Sequence, residues 1–151
     1  MIGKTKSGFS TGLAIIFILL SLSACADRDV FALLDTEGYI RDQKDIVEAA
    51  DWSAAETFEI DIRQNEFRPT IIHLLQGEPY IMLVENRDDF SHILVAEDFF
   101  KTIALRKIIT ETEEISGVNL VGLNLSPGEV KEVHFVPVRD GWYDFEGGQG
   151  P

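Results

Sequence analysis

The sequence predicts an all-β protein: an antiparallel β-sandwich over residues 57–151, with a short helical insertion and a partly helical segment before it. Three observations predict it. From Thr57 onward, apolar residues recur in short runs with a period near two, the repeat of a strand with one face buried. Gly, Pro, Asn and Asp interrupt those runs at the spacing of a multi-stranded sandwich. The 151 residues are 45% hydrophobic and include ten phenylalanines, which is material for one core in one domain.

The first 24 residues stand outside that pattern. Lys4 and Lys6 form a positive end, Leu13 to Leu22 an apolar core, and small residues follow, which is the organisation of a signal peptide. A permanent span needs roughly 20 apolar residues, and this core has about half that length. Leu22-Ser23-Ala24-Cys25 resembles the lipobox of bacterial lipoproteins. That resemblance implies cleavage before Cys25, lipid on its thiol and palmitate-type acylation of the new terminus. Two or more acyl chains anchor a domain stably without a protein span. The implied location is the cell envelope, facing the periplasm. Ala26 follows the cysteine where an aspartate would favour the inner membrane of enteric bacteria.

Removing residues 1–24 takes away two lysines and no acid, leaving 11 basic against 26 acidic residues and a formal charge of −15. Such a surface is a poor partner for nucleic acid. Cys25 is the only cysteine, so once lipidated it leaves no thiol for a disulfide, a metal or nucleophilic catalysis.

Residues 25–56 read as a linker, partly docked on the domain. Asp42 to Ala50 combines good helix formers with apolar pairs at Ile46/Val47 and Ala49/Ala50, which predicts a short amphipathic helix. Phe31, Leu33, Leu34, Tyr39, Ile40 and Trp52 are more apolar than a spacer requires.

Strands are expected at residues 58–63, 70–75, 80–86, 91–95, 120–125, 130–136 and 142–146. Turns are expected at Gln76-Gly77-Glu78-Pro79, Ser126-Pro127-Gly128-Glu129 and Arg139-Asp140-Gly141. Residues 97–108, with Phe99, Phe100, Ile103, Ala104 and Ile108, fit a helical turn or an irregular excursion. Strand parity sends Ile72, Leu74, Tyr80, Met82, Val84, Val133, Phe135, Tyr143 and Phe145 to the core. His73 and His134 fall on the opposite parity, as surface histidines.

Phe67-x-Pro69-x-x-Ile72-x-Leu74-x-x-Gly77, Tyr80-x-Met82-x-Val84-x-Asn86 and then His92 resemble the first half of the cupredoxin, or blue-copper, fold. Pro127-Gly128-Glu129, Val133-x-Phe135-x-Pro137 and Gly141-Trp142-Tyr143-x-Phe145 resemble its second half. The resemblance implies a Greek-key sandwich and places His92 at the family's first copper histidine. The family also uses a cysteine thiolate, a second histidine and usually an axial methionine, all late in the chain. Gly147 stands at the cysteine's place, and the other ligands are absent from residues 148–151. The resemblance therefore implies the fold and one ligand position, without a type 1 copper centre. It also implies an unpaired sheet edge, for the apolar part of residues 30–55 or a partner protein to cover.

Two functional readings follow. The first is a lipid-anchored binding or assembly module with an envelope-protein partner, no cofactor and no enzymatic activity. Its alternative is a carrier of copper or another cation, using His92 with carboxylates among Asp88, Asp89, Glu97, Asp98 and Glu146. A hydrolase finds no support, because no serine lies in a nucleophile elbow and no Ser-His-Asp grouping stands out.

Overall fold

The structure, a computed structural model, describes residues 30–33 and 37–149. Cys25 and residues 1–24, where a signal peptide is expected, lie outside the described residues. Ten strands and two short helices follow in the order β1 (Val30–Leu33), α1 (Gln43–Ala49), β2 (Glu56–Arg63), β3 (Glu66–Arg68), β4 (Tyr80–Asn86), β5 (His92–Val95), α2 (Glu97–Phe100), β6 (Ile103–Ile109), β7 (Glu114–Ile115), β8 (Asn119–Leu125), β9 (Val130–Pro137) and β10 (Glu146–Gln149). They form an all-β sandwich. One sheet has the order β1-β8-β5-β10 and the other β3-β2-β4-β9-β6-β7. Pairing is antiparallel throughout except between β2 and β4, which run parallel with Glu56 opposite Tyr80 and Ile62 opposite Asn86.

The alternating runs bury as their parity dictates. Tyr80, Met82 and Val84 of β4 meet Val133 and Phe135 of β9 between the sheets, together with Ile60, Leu94, Leu123 and Leu125. Phe135 is the aromatic hub, stacked on Tyr80 at 6.0 Å and edge-on to Phe58 and Phe99 at 6.5 and 5.4 Å. Such pairs add about 0.5–1.5 kcal/mol each beyond the area they bury.

Four expectations are corrected. Residues 97–108 hold helix α2 and then β6, an interior strand of the larger sheet. Its alternation is broken by a bulge that inserts Arg106 between Leu105, opposite Phe135, and Lys107, opposite His134. Residues 70–75 form no strand, although Ile72 and Leu74 do pack against the core; Pro69 lacks the N–H that would carry the β3 ladder onward. In the last segment, pairing begins at Glu146 and not at Trp142. His134 is buried on the outer face of β9, because the 3₁₀ turn at Trp52–Ala54 lays Trp52 over it at 6.2 Å between ring centroids. Trp52 is held by a hydrogen bond from Nε1 to the Val47 carbonyl and by Arg106 stacked 4.4 Å above its ring.

β1 pairs with β8 and not with the late strands, Val30 lying opposite Leu123 and Leu33 opposite Asn119. β10 therefore closes the other edge of that sheet with no further strand beside it among the described residues. No helix among the described residues is long and apolar enough to cross a membrane.

Candidate functional site

His92 opens β5 and is almost fully buried. Its surroundings are built from the end of β4. The side-chain amide of Asn86 donates to the carbonyls of Phe90, Leu125 and Ser126 at 2.9, 3.0 and 3.0 Å, while its oxygen accepts the Asp88 N–H at 3.0 Å. One buried asparagine thus ties together β4, the 87–91 loop and the turn after β8.

Asp88 carries the other half of the arrangement. Its Oδ1 accepts the Gln64 N–H at 2.7 Å, and its Oδ2 accepts the Asn65 N–H at 3.1 Å and meets His92 Nε2 at 2.8 Å. Gln64 and Asn65 have φ of 56° and 60°, the pair of left-handed residues of a tight hairpin turn between β2 and β3. The Gln64 N–H, then the Asn65 N–H and His92, hold the Asp88 carboxyl below its ordinary pKa against a smaller opposing effect of burial. Phe90 tilts over the imidazole at 4.7 Å.

The carboxylates named from the sequence do not otherwise converge on His92. Glu97 lies beyond the far end of β5 and pairs with Lys101 at 2.7 Å, with Asp98 beside it on α2. Glu146 sits opposite Val95, three residues along β5 from His92. Asp89 is exposed on the loop. Among the described residues no group of three or more His, Cys, Asp or Glu side chains is placed to hold a metal ion.

Blue-copper ligation is tested most directly at Gly147. A Cβ there would lie 2.7 Å from Phe67 Cε2 and 2.8 Å from Cζ, so a cysteine enters only if the ring swings away. With glycine at 147 and Phe67 in that space, no thiolate is supplied there and the residues present do not fit a type 1 copper ion. The His92–Asp88 pair works instead as a clip between the 87–91 loop and the β2–β3 turn.

A second feature was not legible in the sequence. Between the β3 edge of one sheet and the β10 edge of the other, the sandwich opens into a groove of about 1100 Å³. Phe58, Phe67, Phe99 and Phe145 line its floor, with Phe99 and Phe145 edge to face at 5.1 Å. Two loops form its walls. Leu75 N–H donates to the Tyr80 hydroxyl at 2.9 Å, and the Gln76 side-chain amide to the Val138 carbonyl at 2.7 Å, which ties the first loop to the second. The second is pinned by Val138 N–H to the Thr102 carbonyl at 2.9 Å and by the Tyr143 hydroxyl to the Asp140 carbonyl at 2.9 Å.

These fixed loops hold large apolar side chains in water: Ile71 is 62% exposed, Leu75 69% and Trp142 88%. Ile71 and Trp142 line the groove itself. Single exposed hydrophobic residues are ordinary, whereas several around one concave surface are what a binding site would present. Glu66, Arg68, Arg139, Asp140 and Asp144 are the charges that line the groove, three acidic and two basic.

No protein-family model matches the chain, and no curated protein matches it. Among solved structures it is similar to the McoA multicopper oxidase of the hyperthermophile Aquifex aeolicus, at 11% identity and a TM-score of 0.41. The match covers 60% of this chain and 24% of that one. A likeness that slight transfers neither activity nor ligands, and the sandwich stands on the strand pairing described above.

Proposed function

We propose that the chain is a lipid-anchored protein of the cell envelope, attached through Cys25 and facing the periplasm, whose sandwich is a binding or assembly module without a type 1 copper site and without enzymatic activity. The observation that carries the reading is the groove between β3 and β10, with Ile71, Leu75 and Trp142 held in solvent by bonded loops. Its partner is an envelope protein offering an apolar segment. Covering Trp142 alone removes roughly 200 Å² from water, about 5 kcal/mol at 25 cal/mol per Å² before the costs of association.

A photo-crosslinking residue at position 142, in the native host, is expected to trap a discrete protein. The same residue at position 44, on exposed Lys44 of α1, is expected to trap none. No adduct at 142, or the same adducts at both positions, removes the module reading. Cys25→Ser is expected to release the protein from the membrane fraction, and its retention there removes the lipid anchor. Calorimetric titration with Cu(II), Cu(I) and Zn(II) bears on the carrier alternative. Micromolar binding abolished by His92→Ala would put that alternative in place of the module.

A further inference from the structure

We infer that a lipid at Cys25 holds the β1 edge of the sandwich at the bilayer and turns the apolar groove away from it. The inference rests on the lipid-anchored reading above. Cys25 precedes Val30, the first residue of β1, by five positions. A chain reaches at most about 3.6 Å per residue, so Val30 lies within about 18 Å of the anchored residue whatever the intervening residues do.

Strand order then decides which surface faces where. β1 is one edge of the order β1-β8-β5-β10, and the groove opens beside β10, the opposite edge, where Phe67 lies over Gly147. Three strand spacings separate the two edges, about 14 Å. The strand ends add to this separation. Val30 pairs with Leu123, two residues from Leu125, and Leu125 lies opposite His92. The anchor is therefore close to the end of the sandwich that carries the 126–129 turn. Trp142 belongs to the other end, on the loop that bonds to Thr102 after α2 and to Gln76.

Laying the groove on the bilayer would lift Val30 by at least the width of the sheet and leave the tether nearly taut. A taut tether forfeits most of its conformational freedom. Charge gives no strong preference between the faces, because Arg68 and Arg139 line the groove beside Glu66, Asp140 and Asp144. The groove is thus presented to partners arriving from the aqueous side and not to proteins embedded in the same bilayer.

The test couples the processed chain, residues 25–151, through its Cys25 thiol to a maleimide phospholipid on phosphatidylcholine vesicles. A donor dye is placed by click chemistry at exposed position 126 or at exposed position 142, with rhodamine headgroups as acceptors. Energy transfer is expected to be roughly twofold higher from 126 than from 142, because 126 follows β8 at the anchored end while 142 lies beyond two strand spacings, about 10 Å, and at the other end of the strands. Equal or reversed efficiencies overturn the inference. A 20-residue Gly-Ser linker inserted before Val30 is expected to erase the difference. If the difference survives, surface adhesion orients the domain, and the tether account is overturned. Because the lipid is attached chemically, a cell that leaves Cys25 unlipidated would sink the anchored reading without altering this measurement.

Discussion

Gly147→Cys places a thiol where the blue-copper resemblance would have one, and the structure says what that costs. The new Cβ would sit 2.7 and 2.8 Å from two ring carbons of Phe67, against about 3.4 Å for ordinary contact. Overpacking of this kind costs roughly 1–3 kcal/mol. Gly147 is not in the left-handed region, so replacing a glycine returns about 0.4–1 kcal/mol through the unfolded chain. The net is a destabilisation of about 1–2 kcal/mol, a fall in Tm of roughly 4–8 °C for a domain of this size. Thermal unfolding followed by circular dichroism reads it. The argument names Phe67 as the cause, so in a Phe67→Ala background the same substitution is expected to cost less than about 0.5 kcal/mol, a coupling of about 1–2 kcal/mol. An equal cost in both backgrounds would refute the steric reasoning. Added Cu(II) is expected to give Gly147→Cys no intense blue band, because among the described residues no group of three or more His, Cys, Asp or Glu side chains is placed to hold a metal ion. An intense band would refute the ligand argument separately.

Lys131 is fully buried, with Nζ 2.6 Å from the Asn124 carbonyl and 3.1 Å from Glu129 Oε1. Glu129→Ala is therefore expected to cost about 3–5 kcal/mol by removing the carboxylate that faces a buried ammonium, whereas Lys131→Met costs less than about 1.5 kcal/mol, both read by urea denaturation. Equal losses would show that the pair is not what holds the site. Asp88 titrates below its ordinary value of 3.8 in the folded chain, so its stabilising effect is complete above 3.8 and is lost as pH falls below it through the lower folded value. Asp88→Asn is expected to lower Tm at pH 7, with the gap from the wild type closing once acid has protonated Asp88; a gap that persists after that contradicts the carboxylate's role. Trp142→Ala leaves Tm unchanged within about 0.5 kcal/mol, since the side chain is 88% exposed, yet abolishes crosslinking from a probe at position 71. A large stability loss would make Trp142 a packing residue instead.

Strict alternation made β4 legible almost to the residue, because a period of two has one reading when one face is the buried one, whereas β8 and β9 bury residues of both parities. β6 was hidden for two physical reasons. Ala104, Leu105, Arg106 and Lys107 are good helix formers, and the bulge at Arg106 shifts the later apolar residues out of phase. Residues 70–75 alternate as a strand does, yet alternation reports which side faces the core and not whether a neighbour supplies the ladder. His134 and Lys131 were missed for a related reason. Parity places His134 outside, but Trp52, more than 80 residues earlier, covers it; parity places Lys131 inside, where Glu129 and the Asn124 carbonyl help make a charge tolerable.

Of the candidate site, His92 and its Asn86 loop were visible as a motif, and their partners were not. Nothing local links Asp88 to the Gln64 and Asn65 amides, which the parallel pairing of β2 with β4 brings beside it. The groove was further from sight, since it is a gap between edges of different sheets, and the parity that sends Tyr143 and Phe145 inward says nothing of what Trp142 stands beside. Composition, the single thiol, the charge and the core parity are properties of residues and their spacing, so the chain alone determines them. Which faces are covered, which donors meet Asp88 and where the sandwich stays open depend on contacts between residues far apart in sequence, and only the packed sheets decide them.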